Sequence, residues 1–197
     1  LNPSIQFTSY TYNSYRRSTN GGATWSNVNY TDGEFINPYD YDDANNIMYA
    51  SLGNLSQMRR WPNANTATTT TRITFPDSLL GGAANVSLVS FKVSPYTANR
   101  LFFGTDNGRF FRMENANTVT SSTVGNAITN IGSANFSTGG YISCVNTGTS
   151  DDNLVVVFSN YGVNNVWVTT NGGTTWSAID GDLPDMPVRW ALFEPGD

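Results

Sequence analysis

Histidine is absent from this sequence of 197 residues, and cysteine and lysine each occur once. Without histidine, the chain cannot build a Ser-His-Asp or Cys-His nucleophile, and it lacks the commonest zinc ligand. The single Cys144 cannot form a disulfide within the chain. It lies in a strand-like run, Tyr141-Ile142-Ser143-Cys144-Val145, so we expect a buried, unreactive thiol. The sequence therefore predicts neither a metal site nor a bound cofactor.

Positive charge is scarce. Lys92 is the only lysine, and 10 basic residues against 15 acidic ones give a formal net charge of -5. No basic cluster could follow a phosphate backbone, which argues against nucleic-acid binding. No run of about 18 apolar residues occurs, so we expect no membrane-spanning helix. Charged residues are only 13% of the chain, and the resulting surface of Asn, Thr, Ser and Gly favours a secreted or cell-surface bacterial protein.

One eight-residue motif occurs twice. Ser18-Thr19-Asn20-Gly21-Gly22-Ala23-Thr24-Trp25 returns as Thr169-Thr170-Asn171-Gly172-Gly173-Thr174-Thr175-Trp176, at an offset of 151 residues. Asn folds its side chain onto nearby backbone N–H groups, and Gly supplies positive φ without a steric penalty. Trp then enters the next strand as a large apolar anchor. The motif therefore predicts a tight hairpin that joins two strands.

This motif resembles the Asp-box (BNR) repeat, with Asn in the usual Asp position. The matching residues are Ser18, Asn20, Gly22, Thr24 and Trp25, and then Thr169, Asn171, Gly173, Thr175 and Trp176. Asp boxes join the third and fourth strands of β-propeller blades in sialidases, xyloglucanase-type glycoside hydrolases, sortilin-like receptors and many secreted bacterial proteins. The resemblance implies an all-β propeller of four-stranded antiparallel blades in which the boxes are structural. We expect the two tryptophans to have equivalent surroundings.

Three steps of about 50 residues separate the two motifs, and this is the length of one four-stranded blade. We assign one partial propeller to 1–197, with blades at about 1–30, 34–76, 86–129 and 140–180. The first unit lacks an inner strand, whereas Val188–Pro195 has the pattern of one. This segment either closes onto the first blade or, as we prefer, opens a further blade of a longer propeller.

The middle units have distinctive strands and turns. The sequence predicts an inner strand at 35–38, an acidic turn at 39–46, a second strand at 47–51, and the corresponding strands of the third unit at 86–93, 101–105 and 109–113. A shared tag, Asn63-Ala64-Asn65-Thr66 and Asn115-Ala116-Asn117-Thr118, takes the place of the Asp-box motif there. Asp40, Asp42 and Asp43 are interpreted as a solvated turn rather than a calcium site.

Several aromatic and basic side chains are assigned structural positions. We expect the pairs Arg16-Arg17 and Arg59-Arg60 to line strand edges. Aromatic side chains at equivalent strand positions are expected to fill the layers between blades. These are Phe7, Tyr49, Phe103 and Phe158. We expect Trp61, Trp167 and Trp190 to pack between blades as well, with stacking on a sugar as the alternative.

The related families bind ligands on the propeller side that carries the loops between second and third strands and between blades. The predicted lining of that side is Tyr10, Tyr12, Asn13, Gly53, Asn54, Asp106, Asn107, Asn160 and Tyr161. Tyrosine rings can stack on sugars, and asparagine amides can bond to hydroxyl groups. Ordinary polar turns are the alternative interpretation of the same residues.

Glycoside hydrolysis requires two carboxylates across a cleft. Asp32, Glu34, Asp106 and the acidic residues of 180–185 lie in loops, but the strings that mark catalytic residues in sialidases and xyloglucanase-type enzymes are absent. We therefore predict a scaffold that binds carbohydrate or protein without catalysis within this chain. The alternative is part of a glycoside hydrolase whose carboxylates lie partly outside it. We expect the open end of the stack to meet further blades of the parent chain or a second copy.

Overall fold

The computed structural model describes residues 2–53 and 55–194; the predicted site residue Asn54 and the end of the predicted strand at Pro195 lie outside them. Within these residues, fifteen strands form four antiparallel sheets, and one short helix is present, α1 (Val124–Ala127). The first sheet contains β1 (Gln6–Ser9), β2 (Ser14–Ser18) and β3 (Ser26–Asn29), and the second contains β4 (Tyr39–Asp42), β5 (Ile47–Ser51), β6 (Gln57–Pro62) and β7 (Thr71–Thr74). The third contains β8 (Leu88–Val93), β9 (Leu101–Thr105), β10 (Phe110–Met113) and β11 (Ile128–Asn130), and the fourth contains β12 (Ile142–Thr147), β13 (Leu154–Phe158), β14 (Val166–Thr169) and β15 (Ser177–Ala178).

Each sheet, called a blade below, is a meander in which every strand pairs with the next one along the chain. In the second to fourth blades the first strand is innermost, and β8 contacts both β4 and β12. The first blade has three strands and begins at the position of a second strand. Its β1 is largely exposed, whereas the equivalent strands β5, β9 and β13 are buried throughout. The first blade therefore lacks an inner strand, as the sequence predicts.

The hydrophobic core consists of layers between neighbouring blades. One layer joins the first and second blades, a larger one joins the second and third, and another joins the third and fourth. Tyr49, Phe103 and Phe158 are buried in these layers, and Phe7 packs on the edge of the first layer. Because a single blade cannot cover both faces of its own sheet, the layers hold the stack together.

Two of the three tryptophans that were expected between blades are found there. Trp61 has no exposed surface and lies against Phe7 and Tyr15 at centroid distances of 5.8 Å. Trp167 is buried between the third and fourth blades. The expectation is wrong for Trp190, which is 66% exposed.

The inner strand of the second blade starts later than predicted. Residues 35–38 form no strand, since Asn37 closes a local turn through hydrogen bonds to both backbone groups of Glu34, and Pro38 cannot donate to a ladder. The strand is instead β4, which includes Asp40 and Asp42. Only the second half of the predicted acidic turn is a turn, and there both carboxylate oxygens of Asp42 accept from Asn45.

Arginines join successive blades instead of lining edges. Arg17 donates to the carbonyls of Ala64 and Ala67, both at 2.8 Å, and Arg60 donates to the equivalent carbonyls of Ala116 and Val119. Each guanidinium thus binds the turn of the next blade that contains the shared Asn-Ala-Asn-Thr sequence. The edge prediction is wrong for Arg59 and Arg60, because β6 is an interior strand and both side chains are buried.

The first hairpin motif is closed by its own side chains. The Oδ1 of Asn20 accepts from the backbone N–H of Thr24 at 2.9 Å, and its Nδ2 donates to the hydroxyl of the same threonine at 2.9 Å. The hydroxyl of Ser18 accepts from the N–H of Gly22 at 2.8 Å and donates to the Asn20 oxygen. Gly22 has φ of 91°, which favours glycine.

The second motif repeats these contacts between β14 and β15. Asn171 accepts from the N–H of Thr175 at 2.9 Å and donates to its hydroxyl at 2.8 Å. Thr169 takes the place of the first serine and accepts from the N–H of Gly173 at 3.1 Å. The prediction that both motifs form the same hairpin is confirmed.

The two tryptophans of the motifs, however, have different surroundings. Trp176 packs on Phe110 and Phe136 of the third blade and its connection, and its indole N–H donates to the Ile131 carbonyl at 2.8 Å. Trp25 is 41% exposed, and its N–H donates to Gly22 within its own hairpin. The expectation of equivalence is wrong because this tryptophan docks on the preceding blade, and the described residues place no blade before the first.

The segment after the fourth blade is extended but forms no strand over residues 188–194. It runs beside β12: the hydroxyl of Ser143 donates to the Val188 carbonyl at 2.6 Å, and Asn146 Nδ2 donates to the Ala191 carbonyl at 3.4 Å. Its apolar side chains cover the outward face of the fourth blade, around Val157. They also cover Cys144, which is 3% exposed; burial raises the pKa of this thiol, in agreement with the inert cysteine that the sequence predicts.

Candidate functional site

Two kinds of connection share one side of the stack, which we call the loop face. Because the strands alternate in direction, the turns after β1, β5, β9 and β13 lie on it together with the connections between blades at 30–38, 75–87 and 131–141. The two hairpin motifs lie on the opposite side. The loop face is therefore where the sequence places its candidate binding residues.

Two carboxylates from different blades meet on the loop face. The hydroxyl of Ser87 donates to Glu34 at 3.1 Å, and the backbone N–H of Ser87 donates to Asp106 at 3.1 Å. Since both carboxylates contact the same residue, these oxygens lie within about 9 Å of each other. Gly53 makes room for this arrangement, because a Cβ there would lie 2.8 Å from Cγ of Glu34.

A tyrosine and an arginine complete the group. Burial raises the pKa of Tyr141, and the charges of Glu34 and Asp106 raise it further, while Arg189 acts in the opposite direction. The tyrosine hydroxyl therefore lies within electrostatic range of both carboxylates and the guanidinium. We call Glu34, Ser87, Asp106, Tyr141 and Arg189 the central polar cluster. It combines two anions, one cation and two hydroxyl groups, which can orient a polar ligand through several hydrogen bonds.

Three members of this cluster were not among the predicted site residues. Ser87 and Tyr141 each lie immediately before an inner strand, and Arg189 lies at the start of the C-terminal segment that runs beside β12. The repeat itself could have identified them, because all three occupy corresponding positions in successive units of about 50 residues.

Exposed aromatic and apolar side chains surround the cluster. Tyr12 lies edge-on to Phe35 with a centroid distance of 6.3 Å, and its N–H donates to the Glu34 carbonyl at 3.0 Å. Ile36 is 77% exposed and Tyr161 is 75% exposed. The structure thus leaves Tyr12 and Tyr161 accessible on the loop face, as predicted.

The other predicted site residues have different positions. Asn13 is fully buried, and its amide accepts from the hydroxyl of Tyr15 and donates to the Ser51 carbonyl, so its side chain is not available to a ligand. Tyr10 is exposed but lines the outer face of the first blade, next to Arg16.

Two further predicted residues have local bonding roles. Asn160 Oδ1 accepts from the backbone N–H of Tyr141 at 2.7 Å and so helps to hold that residue of the cluster in place. Asn107 donates to the Leu80 carbonyl at 2.8 Å and accepts from the hydroxyl of Thr105 at 2.6 Å. Both amides stabilise the turns of this face.

Within residues 2–53 and 55–194, no group of three or more His, Cys, Asp or Glu is placed to hold a metal ion. The same part of the chain contains no helix that could cross a membrane.

No protein-family model matches the chain, and no curated protein matches it. Solved structures do resemble it. The extracellular domain of BT4673 from B. thetaiotaomicron superposes with a TM-score of 0.63 and 13% identity, over 94% of this chain and 23% of that one. Ycf48 from Cyanidioschyzon merolae gives 0.61 and 12%, over 95% and 58%; Ycf48 has also been solved with a D1 peptide bound. The GH74 enzyme of Niastella koreensis gives 0.59 and 18%, over 89% and 27%.

The fold is that of a β-propeller. Four antiparallel blades, almost no helix and these neighbours agree on it. The chain spans between 23% and 58% of the length of the three solved chains. At identities of 18% or less, the likeness extends to the fold alone.

Proposed function

We propose that this propeller is a non-catalytic binding module of a secreted or cell-surface protein, and that its loop face binds a polypeptide segment of a partner protein. The observation that carries the proposal is the set of apolar side chains exposed in loops around the central polar cluster. The set consists of Phe35 at 68%, Ile36 at 77%, Leu55 at 45%, Leu183 at 52% and Met186 at 53% exposed. Exposed apolar groups around a polar centre are typical of protein interaction sites.

The central polar cluster supplies the groups that an extended peptide needs. Carboxylate oxygens of Glu34 and Asp106 can accept from peptide N–H groups, and the Arg189 guanidinium can donate to carbonyls. Aromatic side chains beside them, such as Tyr12 on Phe35, offer rigid apolar anchors. That the related fold of Ycf48 has been solved with a peptide supports the proposal as a precedent for the fold.

We also propose that both hairpin motifs are Asp boxes and that the stack continues into further blades of the parent chain or a second copy. Support comes from the exposed edge strand β1 and from residues 188–194, which run beside β12 as β12 runs beside β8.

A second candidate function is carbohydrate binding or hydrolysis. The observation in its favour is the pair Glu34 and Asp106, because their separation does not exceed about 9 Å, the upper end of the range that glycosidases use. Tyr12 and Tyr161 could then stack on sugar rings, and the GH74 neighbour shares the fold.

The test begins with panning a random peptide library against the wild-type protein. A selected peptide should bind the double variant Phe35→Ala and Ile36→Ala at least about tenfold more weakly, since anchors of this kind contribute 1–2 kcal/mol each. The matched control is Tyr96→Ala, which removes an aromatic side chain of 52% exposure from the opposite side. Failure to select any peptide, or equal binding by all variants, would contradict the proposal.

The second candidate has its own assays. Glycan arrays are probed with wild type, Tyr12→Ala and Tyr161→Ala, and chromogenic glycosides are incubated with wild type, Glu34→Gln and Asp106→Asn. Hydrolysis that both acid variants abolish would replace the binding proposal with an enzyme.

A further inference from the structure

A groove of about 290 Å³ runs along the inner strands of the second, third and fourth blades. Its walls come from β4, β8 and β12, and Trp190 lies at its edge. We call this space the central groove. It is separate from the central polar cluster, none of whose members lines it.

Lys92 projects from β8 into the lining of this groove and is the only lysine in the chain. Its ammonium makes no hydrogen bond and no ion pair with any residue in 2–53 or 55–194. Most arginines behave differently, since carbonyl or carboxylate oxygens hold them. These are Arg17, Arg59, Arg60, Arg72, Arg100 and Arg112. Among the described residues, Lys92 shares this lack of a partner with only one other half-buried cation, Arg109.

One acid, Asp40, interacts electrostatically with this lysine without forming an ion pair with it. Asp40 also lines the groove, but its two oxygens accept from the backbone N–H groups of Tyr41 at 2.9 Å and Val93 at 2.7 Å. No ion pair joins it to Lys92. The carboxylate oxygens thus join β4 to β8 through backbone donors, and the N–H donors of the ammonium remain available to a ligand.

The remaining walls offer one apolar platform and one amide. Ala191 packs against the fourth blade and so fixes the backbone beside Trp190. The indole of Trp190 itself is 66% exposed and accessible to a ligand. The Oδ1 of Asn146 accepts from the backbone N–H of Thr147 at 3.2 Å, but its Nδ2 donates only a long bond of 3.4 Å to the Ala191 carbonyl, which leaves amide donor capacity toward the groove. Asn37 is not available, because both of its amide atoms bind Glu34.

We propose that the central groove binds a carboxylate carried on a ring or a short apolar stem. Lys92 pairs with the carboxylate, Asn146 donates a further hydrogen bond, and the apolar part lies against Trp190. A volume near 290 Å³ is at the lower end for ligand pockets, which limits the buried group to about one ring or side chain. A single ammonium suits a monoanion, whereas phosphate recognition commonly uses the bidentate fork of arginine.

The single lysine makes a direct assay possible. Isotope-labelled reductive dimethylation of the whole protein marks only Lys92 and the terminal amine, and it preserves the positive charge. The Lys92 signal is then followed by NMR during titration with glucuronate and with hydrocinnamate, in a buffer without carboxylates. Glucose and hydrocinnamamide are the neutral counterparts. We expect at least one acid, and neither neutral compound, to shift the Lys92 signal in a saturable way.

Variants test the assignment by calorimetry. Lys92→Met should weaken binding of the active acid by about 10- to 100-fold, because a charge-assisted bond is lost, whereas Lys92→Arg should retain most of it. Arg16→Met removes an exposed cation from the first blade and should change nothing. Trp190→Ala should weaken binding without changing the circular dichroism spectrum.

The outcomes separate the two possible sources of the carboxylate. A response to glucuronate alone indicates an acidic sugar, and a response to hydrocinnamate alone indicates an aromatic or side-chain acid. No response to either acid, equal responses to the neutral compounds, or unchanged binding by Lys92→Met would overturn the proposal. These assays do not involve the loop face, so their result is independent of the function proposed above.

Discussion

Replacing Trp176 with alanine should destabilise the propeller far more than the same change at Trp25, although the two residues end equivalent hairpin motifs. Trp176 lies against Phe110 and Phe136 and donates to the Ile131 carbonyl of the preceding blade connection. Trp25 is 41% exposed and bonds only within its own hairpin. The pair is therefore a matched test of whether the layers between blades, rather than the hairpins, stabilise the fold.

The magnitude follows from the buried area. A largely buried tryptophan covers about 150 Å² of apolar surface, and at about 25 cal/mol per Å² its loss costs up to about 4 kcal/mol. Trp176 is only partly buried, and water can enter its site, so we expect about 2–3 kcal/mol. For Trp25 we expect about 1 kcal/mol or less, since the contacts that it makes are local to its own hairpin.

Urea unfolding followed by circular dichroism measures both losses. For a chain of this size, 2–3 kcal/mol corresponds to a fall in Tm of roughly 4–12 °C, whereas the Trp25→Ala protein should stay within about 4 °C of wild type. Equal losses for the two variants, or a larger loss for Trp25→Ala, would refute the idea that this tryptophan acts by docking on the preceding blade.

Two further predictions concern charge and pH. Asp32→Asn should lower the free energy of unfolding in urea by about 2–4 kcal/mol, because it leaves the guanidinium of Arg59, whose side chain is 4% exposed, without its anion. Glu114→Gln, at a half-exposed ion pair, should lower it by less than about 1 kcal/mol, and equal losses for the two variants would contradict this prediction. Burial and neighbouring acidic charges raise the pKa of Tyr41 to about 12. Between about pH 10 and pH 12 the folded state therefore keeps a proton that the unfolded state loses. The free energy of unfolding should fall as the pH rises through this window. Urea midpoints measured across that window should fall less steeply for Tyr41→Phe, and an unchanged slope would count against this assignment.

The period of about 50 residues predicts the blade architecture because each blade must bury both faces against neighbours of the same length. Strands with unambiguous apolar runs, such as Leu101–Thr105 and Leu154–Phe158, occur where the sequence places them. The inner strand of the second blade was misplaced, because Tyr39–Asp42 carries two aspartates that resemble a turn. Their carboxylates are satisfied by backbone and side-chain donors, a tertiary arrangement that local composition does not reveal.

The candidate site was only partly predictable for a related reason. Exposed loop residues such as Tyr12 and Tyr161 follow from turn position alone. The meeting of Glu34 with Asp106 depends instead on which blades are neighbours and on the one residue, Ser87, that contacts both. Asn13 failed as a site residue because its left-handed turn directs the amide inward, where it bonds to Tyr15.

The chain's few cations occupy two different kinds of position. Arg17 and Arg60 bind carbonyls of the next blade, so their charge serves the stack, and burial lowers the pKa of Arg60 without a carboxylate in contact to oppose it. Arg189 belongs to the central polar cluster, and Lys92 lines the central groove. In a chain with only ten basic residues, these two cations bind no neighbouring blade within the described residues, which leaves them for the ligand roles proposed above.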